Sequence, residues 1–573
     1  MSSEGPGEFQ EEAPRPVQAR RGFSVSYQGK TLLSCLDPIG QADRLAGAQK
    51  ILDRTLYLCP SPLYGYGLGR LLERLEQEAP HSALLCVETD ARLLALSQSR
   101  IDPSLLNHPR VRLTGERNPA GLCTFVQNAW GSRSFRRVET LRLSAGWRLD
   151  PKSYDDLAAA LGQELVLDWG NAMTLVKLGR RYIKNALRNL SLIPRAPSLG
   201  ELSFYDDPVL VLGAGPSLDN ILEGLADFFG EALFTAPPRP FRIVAVDTAL
   251  PCLRERNIKP DLVAALESQH WNLRDFIGGG SWEIPVAMDL SALPATGEIL
   301  GERTFLFYTS WAKLSLFSRL EAAGFLPKTF PPLGSVALSA AAIALSLGSG
   351  PVLTGGIDFS FTLDTYHARS TPGHRDRLRQ QNRFRGILNA GAAFRPSAFG
   401  AAAKSGLPVR CDPAMRGYRD LFEREFAGEH RLGDITGNGL PLGVPVLDMA
   451  AACQILGAPG SGPHTAADPE TKWPATDSRR RGALGEFVFR ERDALVRLRN
   501  ILIGKTKVSP EELEGMLDQA DYLWAHFPDC AGTGGRRPPG TDISFLKRIR
   551  AELDPFTRLW EFTLGELERY GER

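Results

Sequence analysis

The residues Gly213-Ala214-Gly215-Pro216-Ser217-Leu218-Asp219 directly follow the apolar run VLVL and directly precede the helix-like ILEGLADFF. Glycine has no Cβ, so a turn of this kind can bring backbone close to a phosphate, and the free amides of a helix start then face an anion. Pro216 suits a first helical turn, and Ser217 adds a hydroxyl donor. A tight turn that binds nothing uses the same residue types, but strand, turn and helix all agree here, which favours a ligand. Asp247 and Glu267 end two further apolar runs, where a carboxylate serves a ribose, a base or a metal, or caps the next helix. A third constellation is Gly355-Gly356-Ile357-Asp358-Phe359, followed closely by Tyr366-His367-Ala368-Arg369-Ser370-Thr371. Asp358 lies just past an apolar run, and His367 sits in a polar loop. Imidazole titrates near neutrality, which makes His367 the candidate general base or acid. Tyr366 or Arg369 would bond a departing phosphate.

The elements that must position these groups form an α/β pattern. Runs at 209–213, 242–247, 261–267, 284–290 and 304–308 are near-continuously apolar, with helix-like segments between them. A sixth at 352–359 follows the Ala-rich helix Ser335 to Leu347. Such strands predict a doubly wound, mostly parallel sheet covered on both faces, with ligands at the carboxyl ends. This central domain is assigned residues 199–375. Before it, LYLCP, the turn Gly65-Tyr66-Gly67-Leu68-Gly69, a leucine-spaced helix and ALLCVETD make a Rossmann-like β-turn-α-β unit, assigned to 22–198 with a helical connector from Asp155 to Leu192. Glu88 there could hold a ribose or cap a helix. Residues 1–21 are poor in large apolar side chains and are expected to be a disordered tail. Residues 376–482 read as an irregular segment and linker, with Arg479 to Arg481 at its edge, and 483–573 as a C-terminal helical module.

Composition narrows the function classes. The 573 residues carry a formal net charge of +1, so no bulk field draws the chain to nucleic acid or an anionic membrane. No stretch is apolar for long enough to span a bilayer, and eight scattered cysteines show neither CxxC nor zinc-ligand spacing. Reduced thiols and a cytoplasmic location are expected. HExxH, the Walker lysine motif and GxSxG are all missing, which leaves zinc-peptidase, P-loop and hydrolase readings without support.

The segments GAGPSLD, AVDTALPCLRERNIKPDLVAALE and LTGGIDFSF...TYHARST resemble the 6-hydroxymethylpterin diphosphokinase-like domain, and the chain as a whole resembles the motility-associated factor glycosyltransferases of bacteria. The resemblance implies transfer of a nonulosonic, sialic-acid-like sugar from a CMP-activated donor to protein hydroxyls, with flagellin Ser/Thr as acceptor. Similarity to bacterial sialyltransferase motifs makes Gly213, Gly215, Pro216, Ser217 and Leu218 the nucleotide loop. It adds Gly334-Ser335 as a second donor contact, has Gly356 and Asp358 line the site, and gives Tyr366 and His367 the phosphate and base roles. The spacing from GIDF to His367 is shorter here than in those enzymes, and Glu267 stands where relatives carry aspartate. No cofactor beyond the donor is required, and Mg2+ is an option that no ligand cluster demands. Two alternatives remain: an ATP-dependent diphosphokinase of a pterin-like alcohol, with Asp247, Glu267 and Asp358 holding magnesium, and a non-catalytic binding protein of the flagellar or export machinery.

Overall fold

The computed structural model describes residues 13–131, 134–231, 239–277, 284–300, 303–362, 365–387, 391, 393–458, 477–531 and 537–569. The chain forms two compact units, Met1–Lys177 with Ala525–Pro538, and Leu178–Trp524 with Pro539–Arg573.

In the first unit four buried or half-buried runs, β1 (Thr55–Pro60), β2 (Ala83–Val87), β3 (Val111–Thr114) and β4 (Arg137–Thr140), form a parallel sheet in the order β3-β2-β1-β4. The Gly-rich turn leads into the helix Leu68–Glu78 through Gly65 and Gly67, both at positive φ (72° and 82°). A Cβ on Gly67 would press on the Ala42 carbonyl at 2.8 Å, so backbone packing accounts for that glycine. Glu88 is buried and accepts from Ser61 Oγ (2.6 Å), the Tyr154 hydroxyl (2.9 Å) and the Asp90 amide (3.1 Å). Burial raises its pKa. The expectation of a disordered tail through residue 21 is corrected for its described part: Arg15–Gln18 pairs antiparallel with Phe23–Tyr27. Backbone pairing supplies the order that its side chains do not. Residues 1–12 lie outside the described residues.

The second unit holds the sheet read from the sequence, and more. Its strands are β5 (Val209–Leu212), β6 (Arg242–Val246), β7 (Leu262–Ala265), β8 (Val286–Asp289), β9 (Thr304–Thr309), β10 (Lys328–Phe330), β11 (Val352–Gly355), β12 (Leu432–Ile435) and β13 (Val446–Leu447). All pair in parallel in the order β10-β9-β8-β7-β6-β5-β11-β12-β13. From β5 the chain lays strands outward on one side as far as β10, then returns to β5's other edge with β11. The direction of winding therefore reverses between β5 and β11. The helix Val336–Leu347 is apolar nearly all round, as a buried helix must be, and packs on β5, β6, β7 and β11.

The sheet crosses the boundary drawn at residue 375. Within the expected irregular segment lie the hairpin Phe399–Ala402/Pro408–Cys411, the helix Pro413–Glu425, β12, β13 and the helix Met449–Leu456, which packs on Leu218–Phe229. What hid β12 is the Gly433-Asp434 pair that interrupts its apolar run. Asp434 is compensated by Lys404, thirty residues earlier, across 2.6 Å with both side chains fully buried. Residues 459–476 lie outside the described residues. Arg479–Arg481 stand in the first turn of the helix Ser478–Leu502, capped by Asp477. The module continues through Pro510–Gln519, capped by Ser509, and Ile543–Arg569.

Candidate functional site

The winding reverses where the loop after β5 meets the loop after β11, and ligands of open α/β sheets collect in that crevice. The two loops are locked together. Gly213 and Gly215 amides donate to the carbonyls of Gly355 (2.8 Å) and Gly356 (2.7 Å). Asp358, only 2% exposed, accepts from the Ser217 amide (2.7 Å) and hydroxyl (2.5 Å). The anion facing this helix start is thus the chain's own carboxylate, which caps the helix Leu218–Phe229. A Cβ on Gly213 would meet the Gly356 carbonyl oxygen at 2.4 Å, and one on Gly215 would meet Asp358 Oδ2 at 2.5 Å. The close approach these glycines permit is therefore to the neighbouring loop. Pro216 is half-buried ahead of the helix, and Leu218 is fully buried as its first residue, so Leu218 serves the core. Gly356 (φ 72°) takes left-handed backbone freely, whereas Phe359 (φ 46°) and Ser370 (φ 68°) hold it at a steric cost, strain of the kind found in working loops.

The Tyr366–Thr371 segment is stapled to the same turn. The Ala368 amide donates to the Ala214 carbonyl (2.9 Å), and the Arg369 amide donates to Asp219 Oδ2 (2.9 Å). His367 therefore lies one residue from a direct bond to the GAGPSLD turn. Its ring sits edge-on to Tyr366, with centroids 4.6 Å apart, and its Nδ1 is buried with no hydrogen-bond partner among the described residues. Burial, and secondarily the Arg377 cation, lower the His367 pKa to about 4, so the ring is neutral at physiological pH.

The strand-end carboxylates form a second group on the sheet's carboxyl edge. Asp247 accepts from the Thr248 amide (2.8 Å) and from Asn272 Nδ2 (2.9 Å), and Glu267 accepts from the Gln269 amide (2.9 Å). Burial, with Glu267 repelling, raises Asp247 to about 6. Asp275 was not legible as a site residue. It is 8% exposed, and burial followed by the charge of Asp247 raises it to about 8. Tyr182 feels Glu267 and Tyr418 and is raised, mainly by burial, to about 12. Ser335 caps the helix Val336–Leu347 through the Ala337 amide, and a Cβ on Gly334 (φ 68°) would touch the Tyr418 ring at 3.2 Å. Tyr418 in turn faces Phe359, with centroids 6.2 Å apart. A chain of contacts thus runs from Gly334 through Tyr418 to the loop that carries Asp358. Among the described residues no three His, Cys, Asp or Glu side chains are placed to hold a metal ion.

Comparison with known proteins agrees with this architecture. Residues 180–364 match the family described as 6-hydroxymethylpterin diphosphokinase MptE-like. An uncharacterized protein of Treponema pallidum (strain Nichols) is 27% identical over 564 residues, 95% of each chain. The Maf glycosyltransferase from Magnetospirillum magneticum AMB-1 shares the fold with a TM-score of 0.52 at 14% identity, over 98% of this chain and 91% of that one. Among the described residues no helix is long and apolar enough to cross a membrane.

Proposed function

We propose, for a chain with a central MptE-like domain and the fold of a Maf glycosyltransferase, that it transfers a nonulosonic sugar from a CMP donor to a protein hydroxyl, with flagellin Ser/Thr as the expected acceptor. The observation that carries this reading is the hydrogen-bonded attachment of the Tyr366–His367 segment to the turn at the winding reversal, which sets a neutral imidazole beside the expected ligand crevice. In the reaction the acceptor oxygen bonds the anomeric carbon as the bond from that carbon to the phosphate oxygen breaks. CMP leaves with the electron pair, and the hydroxyl proton passes to His367. Positioning and charge stabilisation supply the rest, because the donor already has a good leaving group.

The diphosphokinase alternative needs converging carboxylates, and Asp247, Glu267 and Asp275 lie near enough to repel one another. As a donor set they do not fit a resident metal, and Asp358 is engaged by Ser217, so no step is routed through Mg2+. Incubation with CMP-N-acetylneuraminate or with ATP, each with a hydroxyl acceptor, separates the two readings. CMP release that depends on the acceptor is expected. AMP formation from ATP with no turnover of the CMP donor would establish the diphosphokinase instead.

A further inference from the structure

The helix Pro372–Gln380 follows Thr371, whose side chain caps it through the His374 amide, and it lies against the Tyr366–His367 segment. Gly373 permits the approach: a Cβ there would come within 3.1 Å of His367 Nδ1. One turn on, the Arg377 guanidinium lies 4.3 Å above the centre of the Tyr366 ring. The charges around this helix are mostly balanced. Arg256 is paired with Asp219 (2.6 Å), Arg274 (2.5 Å) and Arg379 (3.8 Å) share Asp376, and Arg375 lies 3.9 Å from Glu255. Two guanidiniums are left over. Neither the half-buried Arg377 nor the exposed Arg369 side chain has a carboxylate or hydrogen-bond acceptor among the described residues. Between them His374 accepts the Ser370 amide at Nδ1 (3.2 Å), which puts its proton on Nε2 and leaves that N–H as a donor.

Arg369 and Arg377 both carry uncompensated positive charge next to the neutral His374, and charge-assisted hydrogen bonds from such groups are what holds an anionic ligand. We propose that Arg369, His374 and Arg377 form an anion subsite that recognises the two negative charges of the donor, one on its phosphate and one on the carboxylate of an acidic sugar. The proposal rests on the donor reading above and adds to it the residues that read the donor's charge: a neutral sugar nucleotide carries no sugar carboxylate to match the second cation. Stacking on Tyr366 fixes the plane of the Arg377 fork, which suits bidentate contact with an oxyanion and which lysine cannot copy. An anion bound here also returns charge to His367, whose protonated form Arg377 disfavours in the free protein.

The test is calorimetry on the full chain with CMP-N-acetylneuraminate, CMP, cytidine and inorganic phosphate, comparing wild type with Arg369→Ala, Arg377→Ala and Arg377→Lys. Arg377→Ala is expected to weaken CMP-N-acetylneuraminate by about 10- to 100-fold, the scale of a lost hydrogen bond to a charged group, and Arg377→Lys by less. Cytidine affinity and the melting midpoint should stay as in wild type. A loss already present with CMP places that arginine on the phosphate, and a loss seen only with the full donor places it on the sugar carboxylate. Equal weakening of cytidine, or no loss with any probe while wild type binds the donor, overturns the subsite and leaves the donor reading standing. Binding of inorganic phosphate that depends on Arg377, with no affinity for either CMP probe, keeps the subsite and overturns the donor.

Discussion

Replacing His367 with Ala is expected to lower kcat for sugar transfer by about a hundredfold or more while leaving donor affinity within about twofold of wild type, because a positioned general base contributes roughly 10²–10⁴-fold. The imidazole is neutral in the free protein, its pKa brought down to about 4 by burial and by Arg377. A base of that strength is weak, and the reaction needs it strengthened. An anionic donor next to the ring favours the imidazolium and so raises its pKa in the complex. The acid limb of kcat/KM, which reports the free protein, should therefore fall near pH 4, and that of kcat, which reports the complex, should lie above it. Coincident limbs together with unchanged turnover in His367→Ala would move the base role to another residue.

The largest effect on stability is expected at Lys404. Lys404→Met leaves the fully buried Asp434 without its counter-ion, at a cost of about 3–5 kcal/mol in urea unfolding at pH 8, the range for breaking a buried pair. Asp434 is raised from an ordinary 3.8 to about 6, with burial outweighing the Lys404 charge and the Thr354 hydroxyl. A carboxyl whose folded pKa lies above its unfolded one adds stability at low pH that is lost as pH rises through the folded value. Removing the lysine raises that pKa further, so the deficit of Lys404→Met should be smaller at pH 5 than at pH 8. Adding Asp434→Asn should recover part of the loss. An effect below about 1 kcal/mol at both pH values would mean that solvent reaches the pair.

The same pair explains what the sequence could and could not disclose. Strands β5 to β9 and β11 were legible because each is a near-continuous apolar run buried on both faces. Strands β10 and β13 have three and two residues, too few to show a period, and β12, LGDI, breaks its apolar run with a glycine and an aspartate whose partner sits in an Ala-rich stretch with no sign of a core. The GAGPSLD turn was legible as a turn from strand to helix. Its neighbour was not, since a glycine is needed equally beside a phosphate or beside another backbone carbonyl, and only the fold brings Gly356 and Asp358 against Gly215. Arg377 sits in a run of arginines that reads as a solvated face, and pairing sets it apart only in three dimensions. Asp275 gave no short-range signal, because what marks it is burial in the fold and then repulsion by Asp247 and Glu267 from the ends of two separate strands.

Hydrogen exchange on the full chain with and without saturating CMP tests the central claim most directly, because it reports where a nucleotide sits without requiring the acceptor. The account predicts that CMP slows exchange in peptides covering 213–219 and 365–377, the turn at the winding reversal and the segments stapled to it, and leaves 61–69 and 83–90 of the first unit unchanged. Protection confined to 61–69 and 83–90, or none anywhere at saturating CMP, would contradict it.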